Sequence, residues 1–382
     1  MTVAPATPAV SRERLVSLDV FRGITIASML LVNNPGTWSA LYWPLGHAEW
    51  HGWTPTDLIF PFFLFIVGVT TELSLRGRSS SDAVRKIIKR GLLIVLFGVL
   101  LNWFPFYSTL TTIPGVENAT FLDRVIYRVE HLRLPGVLQR IGVVYMIAAL
   151  IALKTTRKQQ LIIAIAILLG YWAIITRGPL EPPPATVAAA VDRAVFGEEH
   201  LWAQSKTWDP EGPLSTLPAI ATGLFGIIVA PWVRERRIRE LAIAGIMGLV
   251  AGLLWDLVFP INKGLWTSSY VVFTAGFACV LLALCIFVID IKGMRGWTKP
   301  FVVYGVNPLV AFIGSGVMAK LIDMWKIEYG GRQQSFKSLT YELFYAPYFP
   351  AKLASMLWGL TFVLVWLAIL WVLYRRKWFL RV

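Results

Sequence analysis

Runs of about twenty apolar residues recur along the whole chain. They are separated by short polar turns and by longer segments rich in Trp, Pro and acid. This pattern predicts an all-α polytopic integral membrane protein with about ten transmembrane helices. The expected spans lie at roughly 17–33, 57–75, 87–104, 134–153, 159–176, 214–233, 240–258, 267–289, 300–319 and 353–374. No stretch between them is long and polar enough for a soluble domain, so 1–382 is read as one transmembrane unit. Span one carries Asp19 and Arg22 inside its apolar run, which makes it a poor signal peptide. About 16 residues precede it, so no large extracytoplasmic N-terminal portion is expected.

Composition agrees with the pattern. Of 382 residues, 56% are hydrophobic and 15% charged, against about 25% charged in ordinary soluble domains. The net charge is +14. In a soluble protein that excess would point to nucleic acid; here its placement argues otherwise. The N-terminus, 76–86 with Lys89 and Arg90, 154–158, 234–240, 290–299 and 375–382 hold 22 Lys and Arg against 5 acids. The alternate segments 34–57, 105–133, 177–213, 256–266 and 320–352 hold 12 against 15. Asp19, Arg22, Glu72 and Arg140 lie within spans and cancel. The positive-inside rule then places both termini and the basic turns in the cytoplasm, with the long segments facing outward. A nucleic-acid partner is not expected; membrane lipid is. Cys279 and Cys285 share one apolar run and read as small buried hydrophobes. With four His and no Cys/His cluster, no metal is expected. There is no Walker A loop and no Gly-rich dinucleotide fingerprint.

The first outward segment holds Trp38, Tyr42, Trp43, His47, Trp50, His51, Trp53 and Asp57, with no Lys or Arg. A neutral imidazole can accept a proton or attack an acyl carbon, and a carboxylate fixes its tautomer. An interfacial aromatic belt is the alternative reading. Asp19 and Arg22 share a helix face, as an ion pair or as part of a ligand site. Gln139 and Arg140 form a second polar pair, and Arg140 has no acid close by in sequence. Asp209 and Glu211 precede span six, as caps or as acceptor-facing carboxylates. Asn262-Lys263-Gly264-Leu265-Trp266 could supply donors to a polar ligand or form a capped turn. Outward aromatics beside acids and amides suit a sugar. The aromatic segment 320–352 is expected along the outer interface, where it could roof the site.

These segments together resemble the transmembrane acetyltransferase family of lysosomal heparan-α-glucosaminide N-acetyltransferase and its bacterial relatives. The matching stretches are Ser17-Leu18-Asp19-Val20-Phe21-Arg22-Gly23, His47-Ala48-Glu49-Trp50-His51-Gly52 and Asp57-Leu58-Ile59-Phe60-Pro61. They continue with Leu134 through Gly142, Asp209-Pro210-Glu211-Gly212, and Ile261 through Trp266. The resemblance implies transfer of an acetyl group from cytoplasmic acetyl-CoA to the amine of a glucosamine-type acceptor outside. It places catalysis at His47, with Asp57 orienting it. His51 stands where relatives tend to carry Asn. Arg22, Asn33, Gln139, Arg140, Asn262 and Lys263 are the expected acetyl-CoA contacts. Trp50, Asp209, Glu211 and Trp266 are the expected acceptor contacts. A homodimer in a bacterial inner membrane is implied as well. The alternative is a secondary transporter of an amino sugar. Buried Asp19, Glu72 and Arg140 are compatible with it, although no repeat relates the two halves.

Overall fold

The computed structural model describes residues 15–75, 80–110 and 112–380. Arg12, Glu13, Arg14, Arg76, Arg78 and Arg381, counted above, lie outside them. The chain folds as α1 (Val16–Asn33), α2 (Ile59–Leu75), α3 (Ser80–Trp103), α4 (Phe121–Glu130), α5 (Val137–Lys154), α6 (Arg157–Ile175) and α7 (Val187–Phe196). Next come α8 (Pro213–Arg234), α9 (Ile238–Asp256), α10 (Ser268–Cys285), α11 (Lys299–Val306) and α12 (Pro308–Met324). A hairpin of β1 (Lys326–Tyr329) and β2 (Arg332–Ser335) leads to α13 (Phe336–Phe344) and α14 (Ala351–Arg375).

This is an all-α polytopic membrane architecture. Among the described residues, eight helices are long and apolar enough to cross a bilayer, and α11 with α12 makes a ninth candidate. That ninth span is not straight: the two helices meet at 83° around Asn307 and Pro308. Proline lacks the amide that would continue the ladder, which breaks the helix there. The expected tenth span lies in α3, whose first half carries Arg85, Lys86, Lys89 and Arg90, so only its second half is apolar.

Local signals explain the starts. Thr156 and Gln159 form a capping box that opens α6, and Pro213 stands at the first position of α8. The helix α4 is amphipathic, with Phe121, Leu122, Ile126 and Val129 exposed along one side. Such a face suits the membrane interface.

Close backbone approach builds the centre. A β-carbon on Gly68 would lie 2.1 Å from the Gly223 carbonyl oxygen, and one on Gly226 would lie 2.0 Å from that of Phe65. Only glycine lets α2 and α8 meet this way, because lipid offers no hydrophobic drive and backbone contact must supply attraction. One apolar cluster, including Phe21, Val233, Leu241 and Ile286, joins the start of α1, the end of α8, the start of α9 and the end of α10. At that end Ser17 also bonds Asp290, and Arg157 pairs with Glu72. The basic turns therefore gather at one end of the bundle. The long segments 34–57, 177–213 and 256–266 gather at the other, where they build the site.

Candidate functional site

The site starts from a tight turn. Pro55–Leu58 is a 3-10 turn capped reciprocally by Thr54 and Asp57. One oxygen of Asp57, Oδ2, accepts from the Thr54 amide at 3.0 Å, the Thr54 hydroxyl at 3.1 Å and the Ala48 amide at 3.0 Å. The other, Oδ1, accepts from His47 Nδ1 at 2.6 Å. Asp57 is therefore saturated, and its side chain is 1% exposed, while that of His47 is 48% exposed. A carboxylate only accepts, so Nδ1 of His47 carries the hydrogen and Nε2 is left with its lone pair.

The loop 257–267 brings Lys263 to the same ring. Its Nζ lies 3.1 Å from Nδ1 and 3.2 Å from Nε2 of His47, and 3.8 Å from Asp57 Oδ1. Burial pushes the Lys263 ammonium below the usual lysine range. Asp57 and Glu211 oppose that shift, and the charge of Arg140 adds to it. The loop is pinned by Asn262, which donates from Nδ2 to the Trp50 carbonyl at 2.9 Å and accepts from the Leu265 amide at 2.8 Å. His51 faces Asn262 at 3.3 Å rather than the His47–Asp57 pair. Trp50 ties three outward segments together: its indole donates to Leu180 O at 2.7 Å and its ring meets Trp208 edge-on at 5.5 Å.

Asp209 and Glu211 are not open carboxylates. Arg133 clamps Asp209 through two bonds of 2.7 Å and reaches Glu211 at 2.6 Å. Burial works against the Arg133 charge, but these two partners outweigh it and raise its pKa. The Asp209 amide donates to Asp192 at 2.9 Å. Burial raises the Asp192 carboxyl to about 6. Arg140 is fully buried beside this group. Its Nη2 donates to Pro210 O at 2.7 Å and to the Ser215 hydroxyl, and its guanidinium lies 4.9 Å over the Trp266 ring. Its Nε and Nη1 meet no hydrogen-bond partner among the described residues.

A cavity of about 400 Å³ runs through the bundle between α1, α2, α3, α5 and α12. On α5 it is lined from Val137 to Tyr145, eight residues or about 12 Å of helix rise. Arg22 and Arg90 line the end nearer the basic turns, and apolar side chains such as Phe63, Leu138 and Phe312 line the middle. Phe60 lines the far end, and its ring packs edge-on against Trp266 at 5.0 Å. The cavity therefore runs from two arginines to Phe60, three residues along the chain from Asp57, whose ring separates it from Trp266 and Arg140.

Of the sequence-predicted residues, His47, Asp57, Asn262, Lys263 and Trp50 come together in one cluster. Asp209, Glu211, Arg140 and Trp266 sit beside it. Arg22 lies at the opposite end, in the cavity wall, where it also bonds Asp19 and the Gly305 carbonyl. Arg140 and Gln139 are absent from that wall: Gln139 donates to Leu134 O at 3.0 Å and holds the turn before α5. Asn33 is exposed at the end of α1 and does not line the cavity. Arg133, Arg90 and Phe60 were missed. Arg133 stands one residue before a quoted stretch, and Arg90 is hidden among turn cations that the insertion rule already explains.

Fold and site together define a polytopic α-helical membrane protein with a histidine–carboxylate pair at one end and, within the bundle, an apolar cavity lined by two arginines. The chain belongs to the family described as heparan-alpha-glucosaminide N-acetyltransferase, catalytic, whose model matches residues 14–252. Among curated proteins it is similar to the human heparan-alpha-glucosaminide N-acetyltransferase, 28% identical over 450 aligned residues that take in 100% of this chain. It is 27% identical to the mouse protein of that name over 446 residues, covering 99% of this chain. The chain spans 62% of the length of each relative.

Proposed function

We propose that the protein is an acetyl-CoA-dependent N-acetyltransferase of the membrane, acting on the amine of a glucosamine-type sugar through His47. The sidedness that fits is a cytoplasmic basic end and an outward His47, as in a bacterial inner membrane. The observation that carries the reading is the 2.6 Å His47–Asp57 bond, in the same bundle as an apolar cavity that holds Arg22 and Arg90 at one end and is closed at the other by Phe60, packed on Trp266. Phosphates of the donor suit the two arginines. Its pantetheine arm suits the apolar middle, and its thioester then reaches the floor formed by Phe60 and Trp266.

In direct transfer, His47 Nε2 takes the proton from the acceptor amine as the new N–C bond forms and the C–S bond breaks; the proton ends on the departing thiolate. In the two-step route, Nε2 attacks the thioester carbon and the C–S bond breaks to release the CoA thiolate; the amine then attacks the acetyl carbon, the Nε2–C bond breaks, and the amine proton ends on the thiolate. Either way Asp57 holds the ring, and the Lys263 ammonium, 3.2 Å from Nε2, is the cation that would stabilise negative charge on the acyl oxygen. The deciding measurement uses purified protein, acetyl-CoA and a panel of amino sugars, with His47→Ala as control. Turnover on an amine, lost in the variant with donor binding retained, supports the reading. No turnover on any amine overturns it. Rapid quench with labelled acetyl-CoA alone separates the routes, because only the second labels His47.

A further inference from the structure

The segment that follows α14 turns back on the bundle. Lys377 takes a left-handed φ of 56°, its amide donates to Tyr374 O at 3.1 Å, and the Trp378 amide donates to Leu373 O at 2.9 Å. That pair of bonds is the turn by which a helix end closes and the chain reverses. It sends residues 378–380 across the bend between α11 and α12. There the buried Asn307 holds them with both ends of its amide. Its Nδ2 donates to Trp378 O at 3.0 Å, and its Oδ1 accepts from the Leu380 amide at 3.2 Å. Asn307 stands at the cap position of α12, yet its side chain makes no capping bond. Its amide is committed to the strap.

The strap ends on the cavity that holds Arg22 and Arg90. Leu380 belongs to the wall of that cavity, together with Arg22, Val306 and Pro308. Arg22 also donates to the Gly305 carbonyl, two residues before Asn307. The strap therefore borders the cation end and not the Phe60 end. At about 400 Å³ the cavity lies in the lower part of the range for sites that enclose a small organic ligand. A pantetheine arm with its acetyl group suits that space. The adenosine and its phosphates exceed it, and they are too polar for its apolar middle. They must rest at the cation end, against the strap.

The hold on the strap is light. Trp378 and Leu380 are exposed, and neutral hydrogen bonds such as the two to Asn307 give only a modest net gain over water. The turn at Lys377 is anchored within α14 and needs nothing from Asn307, so it serves as the hinge.

We infer that residues 378–380 are a latch over the donor site and that Asn307 is the positioning residue that closes it. Closed, the strap covers the nucleotide end of the donor; lifted, it admits acetyl-CoA and releases CoA. The inference rests on the reading of this cavity as the donor site. The closing bonds lie within the protein alone, so closure favours neither the free nor the bound state. Such a latch slows exchange in both directions and leaves affinity unchanged, whereas a fixed wall sets affinity. The test measures exchange of labelled CoA on the full chain in nanodiscs. Dissociation is read by a chase with excess unlabelled CoA, and association by mixing at varied concentration. The variants are Asn307→Ala, Leu380→Pro, which removes the amide that Asn307 accepts from, and a chain ending at Lys377. Each should speed association and dissociation about tenfold, with Kd held within about twofold. The last two leave Asn307 and the bend intact, so they decide the matter if the first fails to fold. Unchanged rates in these two, or a Kd weakened about tenfold with association unchanged, would overturn the latch. Arg90→Gln separates this from the donor reading. Weaker CoA binding in Arg90→Gln beside unchanged exchange in the strap variants sinks the latch alone. CoA affinity unmoved by Arg90→Gln counts against the donor site, and the latch falls with it.

Discussion

Asp57 does two jobs with two oxygens. Oδ2 closes a capped turn and Oδ1 holds His47, so Asp57→Asn should separate structure from chemistry. Loss of the cap costs about 1 kcal/mol. An amide cannot reproduce the acceptor that fixes the imidazole tautomer, and the analogous change in a serine-protease triad costs about ten-thousandfold in kcat. We expect a fall in kcat of at least about a hundredfold, with only a modest loss of thermal stability. Steady-state kinetics beside a melting curve check it. Lys263 carries the pH dependence. Its depressed pKa means that the ammonium is lost as pH rises through a value below the usual lysine range, so kcat/KM should fall on the alkaline side there. Lys263→Arg keeps its charge at high pH and should move that fall upward. Lys263→Gln should lower the rate about a hundredfold on the neutral plateau and abolish the alkaline fall. An unchanged alkaline limb in Lys263→Arg would remove Lys263 from this role.

Between elements, the cavity depends on which helices surround it. The helix α1 contributes Arg22, α3 contributes Arg90, and α2 contributes the apolar length ending at Phe60. Arg90 also sits 5.0 Å over the Tyr145 ring of α5, which steadies it at the mouth. Removing a cation that pairs with phosphate weakens binding without touching the reacting atoms. Arg90→Gln should therefore raise KM for acetyl-CoA about tenfold with kcat little changed, and initial rates at varied donor concentration measure it. A loss confined to kcat would move the donor elsewhere. The bend between α11 and α12 belongs to this scale as well. Beyond the bend, Pro308, Leu309 and Phe312 of α12 share one helix face and line the cavity wall.

At the scale of the whole molecule, the two ends differ in charge and in construction. One end gathers the basic turns; the other gathers the aromatic and acidic segments with His47. Carrying cysteines at exposed sites should reveal this polarity in intact cells, once Cys279 and Cys285, both buried, are taken as unreactive background. A cysteine at exposed Ser39 should react with an impermeant maleimide from outside, and one at exposed Arg239 only after permeabilisation. The reverse pattern would invert the orientation that the positive-inside rule assigns.

The sequence by itself determined the class, the approximate spans and the segregation of charge, because apolar run length and the sign of the turns are local properties. His47 and Asp57 were legible as partners for the same reason: ten residues separate them, and a capped turn bridges that gap. The neighbours of that pair were decided only by tertiary structure. Lys263 stands 216 positions from His47 and reaches it because Asn262 anchors its loop on Trp50. Asp209 and Glu211 read as caps or as acceptor-facing carboxylates, and only the fold brings Arg133, 76 and 78 positions away, onto them. Arg140, with no acid close by in sequence, finds its partners in the Pro210 carbonyl and the Ser215 hydroxyl, 70 and 75 positions away. Which cations bind ligand and which bind backbone depends on the surrounding fold, and one-dimensional charge patterns carry no record of it.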